Sequence, residues 1–156
     1  MRDMQSWLDG YSNDHQNPTN RLFHWLCVPP IVWSVIAVLW AIPVPASFAR
    51  PGAWAVAVMV LAFYWYWKHS HRLAVALLIA FAGLGLFTHL LYLQLGAASL
   101  AWLALGVFVV AWIGQFIGHQ FEGRRPSFLT DLAYLLIGPA WLMAKLLRQL
   151  GFKQVT

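Results

Sequence analysis

The stretch LAVALLIAFAGLGLFTHLLYLQLGAASLAWLALGVFVVAWIGQFI, residues 73–117, contains no lysine, arginine, aspartate or glutamate. It divides into two apolar runs, Leu73–Leu95 and Leu100–Ile117, separated by Gly96-Ala97-Ala98-Ser99. A membrane-crossing helix needs roughly 20 apolar residues, in practice about 17–25. Each run meets that length alone, so the spacing predicts two crossings joined by a tight reversal. Gly83, Gly85, Gly106, Gly114 and Gly118 lie within or beside these runs and would let neighbouring backbones approach closely.

Upstream, Phe23–Ile42 forms a further run of spanning length, and Ala53–Trp67 is marginal. The breaks are Pro43-Val44-Pro45, Pro51-Gly52 and Lys68-His69-Ser70-His71-Arg72. All are short, so consecutive helices should be antiparallel neighbours. Downstream, Leu132–Ala144 is too short for a straight crossing, is interrupted by Gly138-Pro139, and ends in Lys145-Leu146-Leu147-Arg148. It reads as a re-entrant or interfacial helical hairpin bent at Pro139. The expected fold is an all-α integral membrane bundle of about four spans plus that hairpin. As a single domain it comprises a polar N-terminal segment (1–22), the spans (23–118), and a motif loop with C-terminal helices (119–156).

Composition agrees. Of 156 residues, 61% are hydrophobic and only 10% charged, against about 25% charged in soluble domains. Met1 to Arg21 is polar and carries Asp3, Asp9 and Asp14, which is unlike a secretory signal, so the first apolar run is expected in the mature protein. The single cysteine, Cys27, excludes an intramolecular disulfide framework and a multi-cysteine zinc site. The net charge of +5 comes from basic residues at the ends of apolar runs, which suits anionic lipid headgroups and argues against nucleic acid.

With four spans, Arg2, Arg21, Lys68, Arg72, Arg124 and Arg125 share one side and Arg50 alone marks the other. The positive-inside rule assigns the loaded side to the cytoplasm, in a bacterial inner membrane or endoplasmic reticulum. His15, His24, His69, His71 and His119 then fall on or near one face, whereas His89 lies deep in the third span.

Asn17-Pro18 is a helix start, with Asn17 as cap and Pro18 at the first helical position. His15 precedes that cap and His24 sits within two turns after it, so a loop imidazole and a helical imidazole can converge. Gln115, His119 and Glu122 occupy positions i, i+4 and i+7 on one helix face. Glu122 or Gln115 could hydrogen-bond the spare nitrogen of His119 and fix its tautomer. Arg124 and Arg125 put positive charge beside this face, where an anionic headgroup would be drawn.

His15, His24 and His119 therefore stand as candidate ligands of one ion. An imidazole-rich, thiolate-free site suits zinc, copper, iron or nickel, and open positions favour redox or oxygen chemistry. Six histidines without histidine boxes fit a mononuclear centre. His69 and His71 read most simply as polar members of an aromatic belt, and His89 as an interhelical hydrogen-bonding residue; any of the three could add a further ligand.

The combination Tyr11…His15-x-Asn17-Pro18-x-Asn20-x-x-x-His24…Pro29 and Trp112-Ile113-x-Gln115-Phe116-Ile117-Gly118-His119…Glu122-x-Arg124-Arg125-Pro126 resembles the 2-hydroxy fatty acid dioxygenases of fatty acid α-oxidation, a family acting in phytosphingosine degradation. The resemblance extends to Asp131 and Gly138-Pro139. It implies an Fe(II)-dependent dioxygenase that converts a 2-hydroxy fatty acid and O₂ to the acid one carbon shorter and CO₂. By motif position it implies His15, His24 and His119 as iron ligands. Arg21, Arg124 and Arg125 are candidates for the substrate carboxylate. Asn17 and Asn20 are expected to hold the turn, as cap and side-chain donor. The competing readings are a non-catalytic lipid-binding or scaffold membrane protein, or a small transporter; the latter should show an internal repeat or broken midplane helices.

Overall fold

A computed structural model describes residues 3–45, 47, 49–123, 134–152 and 155. Among them the fold is all-α: α1 (Met4–Asn13), α2 (Pro18–Ala41), α3 (Ala53–His69), α4 (His71–Glu122) and α5 (Tyr134–Gln149). Two helices, α2 and α4, are long and apolar enough to cross a membrane.

The N-terminal segment, expected only to be polar, forms a helix of its own. Asp3 caps α1 by accepting from the Ser6 amide at 2.7 Å. Met4, Leu8 and Tyr11 recur at i, i+4 and i+7 and are all buried. They pack in one cluster with Tyr66 of α3, Leu77 and Phe81 of α4, and Ile137 and Trp141 of α5. Asn17 caps α2 as its sequence predicts, accepting from the amides of Thr19 at 2.8 Å and Asn20 at 3.4 Å, with Pro18 in the first turn.

The reversal expected at residues 96–99 sits at Gly96. Helix α4 is interrupted there by φ 74° and ψ 172°, a conformation essentially confined to glycine. The contacts of the two limbs, 71–95 and 97–122, run in opposite directions along α2. On the first limb, Leu77 and Phe81 lie beside Trp25 and Val28, and Gly85 lies beside Trp40. On the second, Leu100 and Ala104 pack with Trp33 and Ala37, Gly114 abuts Cys27, and Gly118 abuts Asn20 and Phe23. The return brings residue 119 back to the start of α2. Large apolar side chains face outward along both limbs, with Trp102 74% and Val110 70% exposed, more greasy surface than a soluble monomer carries.

The expected hairpin at Pro139 does not form. Helix α5 runs through Pro139 as one continuous element. Proline removes one helical hydrogen bond, but here burial of Ile137, Gly138, Ala140, Trp141, Leu142 and Ala144 holds the helix in place. The Tyr66 hydroxyl donates to the Leu136 carbonyl at 2.7 Å, tying α3 to this turn. At 16 residues, α5 is about 24 Å long and shorter than a bilayer core of about 30 Å.

Candidate metal centre

Three elements deliver one imidazole each. His15 lies on the short link between α1 and α2, His24 within α2, and His119 in the last turn of α4. All three are buried, at 1%, 2% and 5% exposure. Ring centroids are 4.3 Å apart for His15–His24, 5.1 Å for His15–His119 and 5.2 Å for His24–His119. One ligand-capable atom from each lies within 4.8 Å of the others.

The hydrogen bonding of two rings decides their tautomers. His15 Nδ1 is 2.6 Å from the Tyr11 carbonyl, and His24 Nδ1 is 2.9 Å from the Asn20 carbonyl. A carbonyl only accepts, so each Nδ1 carries the proton and each Nε2 keeps its lone pair. Among the described residues, His15 Nε2 and His119 Nδ1 are buried without a hydrogen-bonding partner. Burial, foremost, holds the His15 imidazole below its ordinary value of 6.5, and the neutral ring is the metal-binding form.

This set fits a divalent transition metal. Imidazole nitrogens on one ion at about 2.1 Å stand roughly 3–3.5 Å apart, so the rings need to close by little more than an ångström. The orphaned lone pairs otherwise cost about 1–3 kcal/mol each.

Glu122 acts elsewhere than expected. No hydrogen bond joins it to His119 among the described residues; its carboxylate instead accepts from the Gln16 amide at 2.8 Å, the Asn17 amide at 2.9 Å and Asn20 Nδ2 at 3.0 Å. Asn17 Nδ2 returns a bond to the Phe121 carbonyl at 3.0 Å. A carboxylate over a helix N-terminus is favoured both by the free amides and by the helix dipole. The effect is to clamp the end of α4, with His119, onto the turn that carries His15. Asn17 and Asn20 each contribute a donor to this clamp. Gly118 makes the approach possible, since a Cβ there would come within 2.8 Å of both Asn20 Oδ1 and Phe23 Cβ.

The other expected site residues separate into groups. Gln115 is buried at 4% exposure, and its side chain lines a cavity beside His24 and His119. Arg21 donates through Nε to the His15 carbonyl at 2.7 Å and so braces the turn. Arg124 and Arg125 lie outside the described residues, as does Asp131. The middle histidines stay away from the cluster. His69 bonds to the Trp65 carbonyl at 2.8 Å and His71 rests on Trp67 at 4.2 Å. His89 is exposed beside Trp40.

Two aromatic residues complete the enclosure. Tyr11 stacks on His15 with centroids 4.1 Å apart and planes 16° from parallel, and burial pushes its phenol well above the usual range. Trp141 lies 5.8 Å from His15 and 6.2 Å from His24, held by a 2.8 Å bond from its indole to Ser12 Oγ. Sequence alone singled out neither as part of the enclosure. The signal for Tyr11 was its position four residues before His15, at the end of the Met4–Leu8–Tyr11 stripe; nothing local pointed to Trp141.

The cavity at the histidines, about 60 Å³, is lined by Tyr11, His24, Gln115, His119 and apolar residues of α2 and α5. Ile31, Val32, Trp112, Leu135 and Pro139 also border an adjoining apolar groove of about 540 Å³. A small, mostly apolar chamber with imidazole and amide groups on its wall, bordering an apolar groove, suits an amphiphile with a compact headgroup.

Comparison with known proteins agrees with the motifs. Residues 1–150 match the family described as 2-hydroxy-palmitic acid dioxygenase Mpo1-like. The chain is similar to the 2-hydroxy-palmitic acid dioxygenase MPO1 of Saccharomyces cerevisiae (strain ATCC 204508 / S288c), with 31% identity over 159 residues covering 96% of this chain and 83% of that protein. No solved structure matches. With the motif histidines gathered at one buried point and the match running nearly end to end, the chain belongs to the Mpo1-like family.

Proposed function

We propose that the protein is an integral-membrane, Fe(II)-dependent dioxygenase that converts a 2-hydroxy fatty acid and O₂ to the fatty acid one carbon shorter, CO₂ and water. The observation that carries this reading is the convergence of His15, His24 and His119, three buried imidazoles whose ligand atoms lie within 4.8 Å of one another, in a chain related to a named dioxygenase. The stoichiometry balances with water as coproduct, so no further reductant is required.

His15, His24 and His119 would hold the iron, which when bound supplies oxygen activation and Lewis-acid polarisation of an α-hydroxy acid. The protein does the rest. The Tyr11 and Asn20 carbonyls fix two rings with Nε2 free, and Glu122 keeps the third ring's helix docked. The apolar groove takes the acyl chain and excludes water from its length. Arg21, Arg124 and Arg125 would draw the carboxylate to the membrane face.

The four crossings are read as α2, α3 and the two limbs of α4, with α1 and α5 at the cytoplasmic interface beside the site. The outward apolar side chains of α3 and α4 support this, Leu61 at 68% and Ile79 at 69% exposure among them. So does the position of Arg21 at the start of α2, Lys68 at the end of α3 and Arg72 at the start of α4.

The test is purification in detergent, measurement of iron content, and O₂ uptake with 2-hydroxypalmitate. One iron per chain and substrate-dependent uptake are expected, both lost in His24→Ala and His119→Ala and both retained in His69→Ala. Full turnover by His119→Ala would overturn the shared-site reading.

A further inference from the structure

Gln115 is a buried polar group of the cavity that neither the metal cluster nor the Glu122 clamp accounts for. It is buried at 4% exposure, and its amide nitrogen has no hydrogen-bonding partner among the described residues. Leaving such a group unmade costs about 1–3 kcal/mol, and buried polar groups in native proteins are seldom left so without a reason. Its helical spacing from His119 suggests that it orients that ring. Yet His119 Nδ1 is equally without a partner, so the two side chains do not satisfy each other.

What lies around Gln115 indicates a ligand. Its side chain lines the same chamber as His24, His119 and Tyr11, and Val28, Ile31, Val32, Leu135 and Pro139 supply the apolar walls. The chamber, about 60 Å³, holds a few waters or a compact headgroup but not an acyl chain. The chain's place is the adjoining groove of about 540 Å³, reached past Ile31, Val32 and Leu135. A ligand seated this way presents its polar end to both the imidazoles and the Gln115 amide.

Charge favours a neutral donor here. A divalent ion held by the histidines would already offset a carboxylate, and another buried cation would add its own desolvation cost without a partner. An amide supplies directional donors at no such cost, and an amide is what the chain places there.

We infer that Gln115 is a substrate-binding residue whose side-chain amide donates to the carboxylate of the α-hydroxy acid, fixing the headgroup over the histidines while the acyl chain runs into the groove. This rests on the reading of the protein as a 2-hydroxy acid dioxygenase and assigns the headgroup contact that the reading leaves open.

The decisive measurement is anaerobic binding of 2-hydroxypalmitate to the iron-loaded, detergent-solubilised protein, alongside iron content. Gln115→Leu should weaken binding about 10- to 100-fold, the usual size for a hydrogen bond to a charged group, with iron content unchanged. Gln115→Glu, nearly the same shape, should weaken it further by setting a carboxylate against the ligand's own, again with iron retained; it carries the test if Gln115→Leu does not fold. Binding of hexadecanol, which lacks the carboxylate, should be the same in all three proteins. Unchanged 2-hydroxypalmitate binding in both variants overturns the assignment and leaves the dioxygenase reading standing. Loss of iron in both variants in step with loss of binding also overturns it, making Gln115 an orienting residue for His119. Failure of the wild-type protein to bind 2-hydroxypalmitate removes the dioxygenase reading and this assignment together.

Discussion

Glu122 and Asn20, 102 positions apart in the chain, are joined by a 3.0 Å hydrogen bond from the Asn20 amide to the Glu122 carboxylate. The same carboxylate takes the backbone amides of Gln16 and Asn17, so one side chain spans the seam between the end of α4 and the start of α2. Both flanks of that seam carry site histidines: His15 and His24 on one, His119 on the other. The seam is therefore the joint on which the cluster depends.

Glu122→Ala should leave three donors at the start of α2, the Gln16 and Asn17 amides and Asn20 Nδ2, without their acceptor and let His119 drift from His15 and His24. Groups that orient metal ligands typically contribute about 10- to 100-fold in metal affinity, and a loss of that size is expected. Glu122→Gln keeps one acceptor oxygen and should fall between. Metal titration of the purified variants measures this, and wild-type affinity in Glu122→Ala would show that the seam is held by other contacts.

The His15 imidazole gives the metal-free protein a pH dependence of predictable sign. Burial depresses its pKa in the folded state below the ordinary 6.5, so between those two values the unfolded chain binds the proton more readily. Stability is then complete above about pH 6.5 and declines as the pH falls toward the depressed folded value. The melting temperature of metal-free protein should drop between about pH 7 and pH 5, and His15→Gln should flatten that drop. A melting temperature that rises on acidification would contradict the buried neutral ring.

Gly96 should resist substitution for conformational reasons alone. A Cβ there meets nothing within 4 Å, yet φ is +74° and ψ 172°. A side chain in that region costs about 1–3 kcal/mol. Gly96→Ala should lower unfolding stability by that amount while leaving metal stoichiometry intact, as read from denaturation in detergent.

Gly118 should resist it for steric reasons. The Cβ of Gly118→Ala would press on Asn20 Oδ1 and Phe23, each 2.8 Å away, and Asn20 cannot yield while Glu122 holds it. Overpacking of this kind costs about 1–3 kcal/mol, and the displaced helix should also weaken metal binding. Gly106→Ala, which meets nothing within 4 Å, is the matched control and should be neutral or mildly stabilising.

Much of this architecture follows from composition and short-range rules. The uncharged length of residues 73–117 dictates helix, and the Gly96-Ala97-Ala98-Ser99 break marks where it turns. Asn17-Pro18 announces the start of α2. The expected hairpin at Pro139 failed because a proline's local cost was outweighed by tertiary burial of Ile137, Ala140 and Trp141, which no local rule weighs. Helix α1 is not legible in the sequence for a related reason. Its stripe of Met4, Leu8 and Tyr11 is short, and only the facing surface of α5 makes it worth burying.

The sequence by itself determined which residues were chemically able to form a site: three imidazoles in polar margins of an apolar chain, with a single cysteine, Cys27. Those properties belong to side-chain type and to spacing along a helix. Only the tertiary structure decided the partnerships. Glu122 took the amides of α2 rather than His119, Tyr11 stacked on His15, and His69, His71 and His89 stayed apart. Such choices depend on distances between segments more than a hundred residues apart, and these are set by how α4 folds back along α2.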